Sequence, residues 1–124
     1  MSFESALREI VEGCGGGIAA ALMGIDGIPI EQVSAADPAR AEMLEDIGVA
    51  GVEFGRILGE VRKASDSLAG GPARECVFAL QSFTIIVHQV DEENFVALAI
   101  TSDGNLGKAR YLIRRHLIAI REQL

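Results

Sequence analysis

Residues 48–59 have the sequence Gly-Val-Ala-Gly-Val-Glu-Phe-Gly-Arg-Ile-Leu-Gly and lie within a long helical pattern over residues 38–68. Apolar side chains recur there at the i, i+3, i+4, i+7 spacing of a helix packed on a core. The predicted core stripe consists of Met43, Ile47, Ala50, Phe54, Ile57, Leu58, Val61 and Leu68. A second stripe beside it consists of Gly48, Gly51, Gly55 and Gly59.

The glycine stripe predicts a second contact face on this helix. Val49 and Val52 lie beyond the glycines, on the side that should face water. Each glycine inside a helix costs about 1 kcal/mol relative to alanine, so a stripe of them suggests that something approaches the backbone closely. A chain of 124 residues has little left to cover a second face. We therefore expect another copy of the chain, or a different protein, to cover it, and a function in binding and assembly.

Composition and charge limit the class of protein. With 124 residues, 49% of them hydrophobic, and a mean hydropathy of +0.29, the chain is long enough for a core of its own, and we interpret residues 1–124 as a single domain. No apolar run reaches the roughly 20 residues of a membrane-spanning helix, and the first residues lack a signal-peptide pattern. Cys14 and Cys76 match no metal or redox spacing, which favours reduced thiols in a cytoplasmic protein.

The net charge of −7 argues against general nucleic-acid binding, which depends on basic surface. The charge is uneven, since residues 105–124 carry five basic side chains against Glu122 alone. This basic last helix offers contacts to phosphates or anionic lipids. Because no aromatic residues are interleaved with the basic ones, a solvated face is the simpler interpretation.

The remaining patterns predict an α/β (α+β) sandwich with the element order αββαβββα, in which helices pack on a five-stranded, mostly antiparallel sheet. The Asp26-Gly27 pair predicts a hairpin turn, and Pro29 places the strand after it at a sheet edge. The predicted helices are 3–12, 38–68 and one that begins at Leu106, and the predicted strands are 18–23, 28–33, 76–80, 84–90 and 95–100. The predicted core stripe of the last helix consists of Leu106, Ala109, Ile113, Leu117, Ile120 and Leu124.

No cluster of titratable groups predicts an active site, a metal centre or a cofactor site. Residues 13–17 are rich in glycine, but they follow a helix and precede a strand, the reverse of a phosphate-binding loop. Residues 104–109 have the right order but lack the spacing of such a loop. His88 and His116 have no acid or cysteine at metal-ligand spacing, and nothing local supports Cys76 as a nucleophile with His88 as its base. We therefore expect a protein that is not an enzyme.

Several motifs occur together in a specific order. A helix ending at Gly13 leads into an alanine-rich strand and the hairpin Asp26-Gly27-Ile28-Pro29-Ile30, and the long glycine-containing helix and three-strand meander follow. The segment Asp103-Gly104-Asn105-Leu106-Gly107-Lys108-Ala109-Arg110 begins the last helix. In this order and spacing the chain resembles the Roadblock / dynein light chain family over nearly its whole length. Among members it looks most like the bacterial MglB-type proteins, which regulate a Ras-like small GTPase.

The resemblance implies a five-stranded antiparallel sheet with the long helix on one face and the terminal helices on the other. It also implies a homodimer that pairs through the long helix and the neighbouring edge strand. The implied dimer residues are Gly48, Val49, Gly51, Val52, Gly55 and Gly59 of the helix and Cys76, Val77, Phe78, Ala79 and Leu80 of the strand. The implied GTPase contacts on the paired helices are Glu53, Phe54, Arg56, Ile57, Glu60 and Val61, of which Phe54, Ile57 and Val61 fit a core role equally well.

The expected function is that of a non-enzymatic homodimeric regulator or scaffold that binds a Ras-like small GTPase in the cytoplasm, in a GTPase-activating or effector role. The alternatives are a small-molecule-sensing domain, a purely structural adaptor, and a membrane adaptor that acts through the basic last helix. The sequence leaves open which GTPase is bound, whether hydrolysis is stimulated or the active state held, and whether the partner subunit is identical.

Overall fold

The computed structural model describes residues 2–124 and contains one five-stranded sheet with helices on both faces. The elements in chain order are α1 (Phe3–Gly13), β1 (Gly17–Gly24), β2 (Pro29–Ser34), α2 (Pro38–Ala41), a 3-10 turn (Ile47–Ala50), α3 (Gly51–Leu68), β3 (Glu75–Ala79), β4 (Phe83–Gln89), β5 (Asn94–Thr101) and α4 (Leu106–Gln123). Neighbouring strands are all antiparallel, in the order β2-β1-β5-β4-β3. The predicted fold class is confirmed, and β2 with its Pro29 lies at a sheet edge as predicted.

The predicted continuous helix over residues 38–68 is wrong, because the chain leaves the helical conformation after α2. Asp37 caps α2 and Pro38 occupies its first turn, as predicted. Further along, the Asp46 side chain accepts a hydrogen bond from the Gly48 N–H at 2.8 Å and begins the 3-10 turn. A side-chain cap of this kind gives the backbone an alternative to the helix, and glycine weakens the helix at the same place.

Two hydrophobic cores lie on opposite faces of the sheet. Helices α1 and α4 cover one face, whose strand residues include Leu22, Ile86, Val96 and Leu98. The 3-10 turn and α3 cover the other face, where Ile47, Phe54 and Leu58 pack over an alanine-rich floor that includes Ala19, Ala21, Ala97 and Ala99. The expected placement of the terminal helices and the long helix on opposite faces is therefore confirmed.

Several residues that were predicted to lie on the core stripes of the long helix and the last helix are not buried. Met43 is 43% exposed because it lies in the break after α2, and Leu68 is 82% exposed at the end of α3. On α4, Ala109, Ile113 and Ile120 are buried as predicted, while Leu106 and Leu117 are half-buried. Leu124 follows the last helical residue and is 45% exposed.

The triple glycine after Cys14 has a packing role. Gly15 and Gly16 have φ values of +67° and +119°, which favour glycine. A Cβ on Gly16 would lie 2.7 Å from Thr101 Oγ1, and the Gly16 carbonyl accepts a hydrogen bond from the Thr101 N–H at 2.8 Å. These glycines let the turn between α1 and β1 pack against the end of β5, in agreement with the predicted helix-to-strand turn.

Candidate partner-binding surface

Helix α3 is buried only along its first half. Its buried residues are Gly51, Phe54, Gly55 and Leu58. Phe54 is 9% exposed, and its ring stacks on Phe78 of β3 with 6.4 Å between ring centroids. No residue from 59 to 68 is buried. The second half of α3 therefore lies on the surface, and Val61 and Ser65 are its only half-buried residues.

Close approaches to the glycine stripe come from within the chain at Gly51 and Gly55, and at Gly48 mainly from the flexible end of Gln32. A Cβ at Gly55 would overlap the carbonyl oxygen of Ile25, and a Cβ at Gly51 would overlap the side chain of Met23. The β1–β2 hairpin thus packs on the start of α3, and glycine at these two positions requires no second chain. At Gly59, by contrast, a Cβ would meet nothing within 4 Å.

Exposed valines flank the region where the hairpin meets α3. Val49 is 77% exposed and Val52 is 60% exposed, as predicted for the side that faces water. Val52 also lies against the hairpin turn, because a Cβ on Gly27 would come within 2.6 Å of its side chain. Gly48 lies beside the flexible end of Gln32. Of the two valines in this region, Val49 is therefore the one that its own chain covers less.

Strand β3 forms the other edge of the sheet and pairs only with β4. One row of its backbone N–H and C=O groups has no strand partner, and no proline or lysine interrupts residues 75–79. Cys76 and Phe78 pack partly against the core under α3. On and after this edge, Val77 is 38% exposed and Leu80 is 51% exposed. An edge of this composition is suited to pairing with a strand of another chain.

The exposed side of α3 carries three ion pairs within the helix. Arg56 Nε lies 3.1 Å from Glu53 Oε2, and the hydrogen bond and charge of Glu53 raise the pKa of Arg56. The Lys63–Glu60 and Arg62–Asp66 pairs each span 3.3 Å. Exposed pairs of this kind contribute little to stability, so their side chains can exchange partners when another protein binds.

The predicted GTPase contacts fall into different environments. Glu53, Arg56 and Glu60 are exposed, whereas Ile57 and Val61 are half-buried. Phe54 lies in the core and stacks on Phe78, so its packing role accounts for its position on the core stripe. The side chains of α3 that are open to a partner are mainly charged.

Cys76 and His88 lie on opposite faces of the sheet. In the β3–β4 register Cys76 is opposite Val87, while His88 is opposite Glu75. Adjacent strand residues point to opposite faces, so the two side chains cannot form a nucleophile–base pair. Burial, and secondarily the charge of Glu75, raise the pKa of the Cys76 thiol. The thiol therefore stays protonated near neutral pH.

Both histidines make structural contacts. His116 is buried, and its Nε2 lies 3.2 Å from Glu9 Oε2 of α1. His88 is also buried, with Nδ1 3.0 Å from the Gln89 carbonyl oxygen.

Across residues 2–124, no three His, Cys, Asp or Glu side chains group so as to hold a metal ion. None of the helices in this part of the chain has the length and apolar character to span a membrane.

A charged cluster between β3 and α4 was not predicted from the sequence. Arg110 Nε lies 2.8 Å from Glu75 Oε1, and Arg114 Nη2 lies 3.9 Å from Glu75 Oε2. The Arg110 N–H is not aimed at the carboxylate, so the contact is an ion pair and not a hydrogen bond. The i, i+4 spacing of Arg110 and Arg114 is a sequence signal for one basic helix face, but it does not identify the strand beneath it.

Solved structures of other proteins share this fold. The Roadblock/LC7 domain from Streptomyces avermitilis is 14% identical, with a TM-score of 0.82 over 99% of this chain and 98% of that one. An MglB with a tetrameric arrangement is 16% identical, with a TM-score of 0.80 over 95% and 84%. MglC from Myxococcus xanthus is 30% identical over 100% of both chains, with a TM-score of 0.69. The chain belongs to the Roadblock/LC7 family. No protein-family model and no curated protein matches it.

This Roadblock domain leaves several parts of helix α3 and of the β3 edge uncovered by its own chain, and we name them together the α3–β3 surface. It consists of Val49, Val52, residues 59–68 of α3, and the β3 edge with Val77 and Leu80. Stacking of Phe54 on Phe78 joins the helix to the strand on this side of the sheet. The family assignment made from the sequence is confirmed, with both MglB and MglC among the structural neighbours.

Proposed function

We propose that this protein is a homodimeric, non-enzymatic adaptor that pairs through the α3–β3 surface and binds a Ras-like small GTPase in the cytoplasm. The observation that carries the proposal is the α3–β3 surface itself, which combines exposed valines, a half-uncovered helix and an open strand edge. The MglB and MglC neighbours support it, because the sequence resemblance to MglB-type proteins implies regulation of such a GTPase.

Pairing through this surface is favoured by two physical terms. Burial of apolar area contributes roughly 25 cal/mol per Å², and Val49, the most exposed valine, would gain most from a partner. Pairing of two β3 edges would satisfy the open row of backbone groups on each chain. A symmetric pair is the commonest arrangement of such self-complementary surfaces. The MglB structure with a tetrameric arrangement supports self-association in this family.

The dimer is tested with a charged substitution on the α3–β3 surface. Val49→Glu would bury a carboxylate in the pair and is expected to yield a folded monomer by light scattering coupled to size-exclusion chromatography. Ile118→Glu is the matched control, because Ile118 on α4 is 65% exposed and lies outside the surface. A Val49→Glu protein that remains dimeric, or a wild type that is monomeric, would show that the surface does not mediate pairing.

The GTPase contact is proposed on the charged side of the paired α3 helices. Glu53, Arg56 and Glu60 are exposed there, and their weak ion pairs within the helix can be exchanged for contacts with the partner. In the proposed mechanism the adaptor binds the GTP form and repositions the switch regions of the GTPase. The GTPase itself then supplies the catalytic residues.

The GTPase contact is tested by affinity capture from native lysate with GTPγS or GDP and identification by mass spectrometry. We expect a small GTPase to be retained with GTPγS only, and Arg56→Glu to weaken its retention at least about tenfold by reversing a contact charge. Arg8→Glu is the matched control, since Arg8 is also exposed and ion-paired within a helix, on the opposite face of the sheet. Retention of no GTPase in either state would refute the proposed partner.

Single-turnover hydrolysis with the captured GTPase then separates the two expected roles. A GTP hydrolysis rate that rises with the concentration of the adaptor indicates an activator. An unchanged or lower rate, with binding intact, indicates an effector that holds the active state.

A further inference from the structure

A basic groove lies between α4 and the place where the end of β4 meets the residues that precede β3. It has a volume of about 480 Å³, in the range of small-molecule sites. Its lining consists of Arg74, His88, Gln89, Arg114, Leu117 and Arg121, which we name the arginine groove. The groove is on the face covered by α1 and α4, whereas α3 lies on the opposite face.

The charge of the arginine groove contrasts with that of the whole chain. Three of its lining residues are arginines and none is acidic, in a chain of net charge −7. An adjoining concavity of about 350 Å³ shares Arg74, Gln89 and Arg121 with the groove, and its lining also includes Asp91 and Glu92. Like charges that converge on one groove repel each other, so their arrangement is stabilised when an anion binds between them.

Many guanidinium N–H donors of the groove arginines are not used by contacts within the described chain. In the described part of the chain, no carboxylate lies within 4.0 Å of the Arg74 guanidinium. Arg114 approaches Glu75 only to 3.9 Å, because Glu75 pairs mainly with Arg110. Arg121 donates its Nε–H to the Val90 carbonyl at 2.9 Å, which anchors the side chain and leaves its four terminal N–H groups for a ligand.

Regular structure fixes the backbone positions of these residues. The Gln89 N–H donates to the Arg74 carbonyl at 2.9 Å, which fixes the backbone of Arg74 beside β4. Arg114 and Arg121 are seven residues apart on α4 and share one helix face. His88 is 7% exposed, with its ring anchored at the Gln89 carbonyl, and forms part of the wall. Because the backbone of the site is fixed before a ligand arrives, only the arginine side chains become ordered when it binds.

We propose that the arginine groove binds the phosphoryl group of a small phosphorylated molecule. The planar guanidinium group can donate two parallel hydrogen bonds to the oxygens of a phosphate. Arginines from α4 and from the segment before β3 can therefore bind one phosphoryl group from two sides. Leu117 supplies an apolar contact for the remainder of the ligand. The site is separate from the α3–β3 surface and does not depend on the proposed GTPase contact.

The test uses the full chain and pyrophosphate as the probe, by calorimetry and by NMR of the arginine Nε–H signals in about 0.15 M salt. We expect saturable binding of one pyrophosphate per chain, with shifts of the Arg74, Arg114 and Arg121 signals. Arg74→Gln and Arg114→Gln should each weaken binding about tenfold or more, because each removes charge-assisted hydrogen bonds. Arg8→Gln, on α1, should leave the affinity unchanged.

Folding of the variants is checked by circular dichroism, and Arg74→Gln keeps the test valid because no ion pair of the described fold is lost with it. Absence of saturable binding, or equal weakening by Arg8→Gln, would overturn the proposal.

Vesicles of phosphatidylcholine and phosphatidylglycerol distinguish the source of the phosphoryl group. Vesicle binding that pyrophosphate displaces assigns it to a lipid headgroup, whereas pyrophosphate binding without vesicle binding assigns it to a soluble ligand. Vesicle binding that pyrophosphate does not displace counts against the groove.

Discussion

Gly55 and Gly107 differ in the space that the fold leaves for a methyl group. A Cβ at Gly55 would overlap the Ile25 carbonyl, whereas a Cβ at Gly107 would meet only Asn105 Oδ1 at 3.7 Å. We therefore expect Gly55→Ala to lower the free energy of unfolding by about 1–3 kcal/mol. Gly107→Ala should raise it by up to about 1 kcal/mol, because alanine favours the helix. Urea unfolding of the two variants checks both signs, and a Gly55→Ala protein as stable as the wild type would contradict the described packing of the hairpin on α3.

The Cys14 thiol makes stability depend on alkaline pH. Burial raises the pKa of Cys14, so the unfolded chain releases this proton at a lower pH than the folded chain does. The stabilising contribution is complete below about pH 8.5, the ordinary thiol pKa, and is lost as the pH rises through the folded-state value. We expect the free energy of unfolding to fall more between about pH 7 and pH 9.5 in the wild type than in Cys14→Ala.

Cys76 serves as the internal reference for that comparison. Its pKa is also raised by burial, and it is present in both proteins, so the difference between their pH profiles belongs to Cys14 alone. Parallel profiles in urea unfolding would show that the Cys14 thiol is not desolvated in the folded protein.

At the scale of elements, α3 has a first half anchored to the sheet and a second half that its own chain leaves on the surface. In a monomer, the amides of residues 60–68 should exchange hydrogen faster than those of residues 52–58, since few buried contacts oppose local opening. Pairing through the α3–β3 surface should protect the second half.

Hydrogen-exchange mass spectrometry of the wild type and Val49→Glu measures this protection. We expect at least about tenfold faster exchange over residues 60–68 in Val49→Glu, with little change in α1. Equal protection of that segment in both proteins would mean that the second half of α3 is stable without a partner. Ile118→Glu should behave as the wild type does.

At the scale of the whole molecule, a dimer links stability to protein concentration. If two chains pair through the α3–β3 surface, dissociation accompanies unfolding, and the apparent Tm rises with concentration by mass action. We expect the Tm of the wild type to increase between about 5 and about 500 µM, and that of Val49→Glu to stay constant. Differential scanning calorimetry over this range provides the measurement, and a constant wild-type Tm would argue against an obligate pair.

Local patterns in the sequence determined most of the elements. The apolar spacing predicted α1 and α4, and alternating or continuous apolar runs predicted five strands to within one or two residues. Asp26-Gly27 predicted the hairpin turn, and in the structure Gly27 has a φ of +88° there. These signals are readable because each depends on backbone preferences and side-chain periodicity within a few neighbouring residues.

Only the tertiary structure decided which distant groups meet. The sequence predicted close approaches to the α3 glycines, but docking of the hairpin decided that Ile25 and Met23 approach Gly55 and Gly51. The break between α2 and α3 was also missed, because a local cap at Asp46 outweighs a continuous apolar period. Likewise, the arginine groove exists because strand register and helix docking bring Arg74 beside α4. Residues far apart in sequence carry no local signal of such contacts, which depend on how whole elements pack.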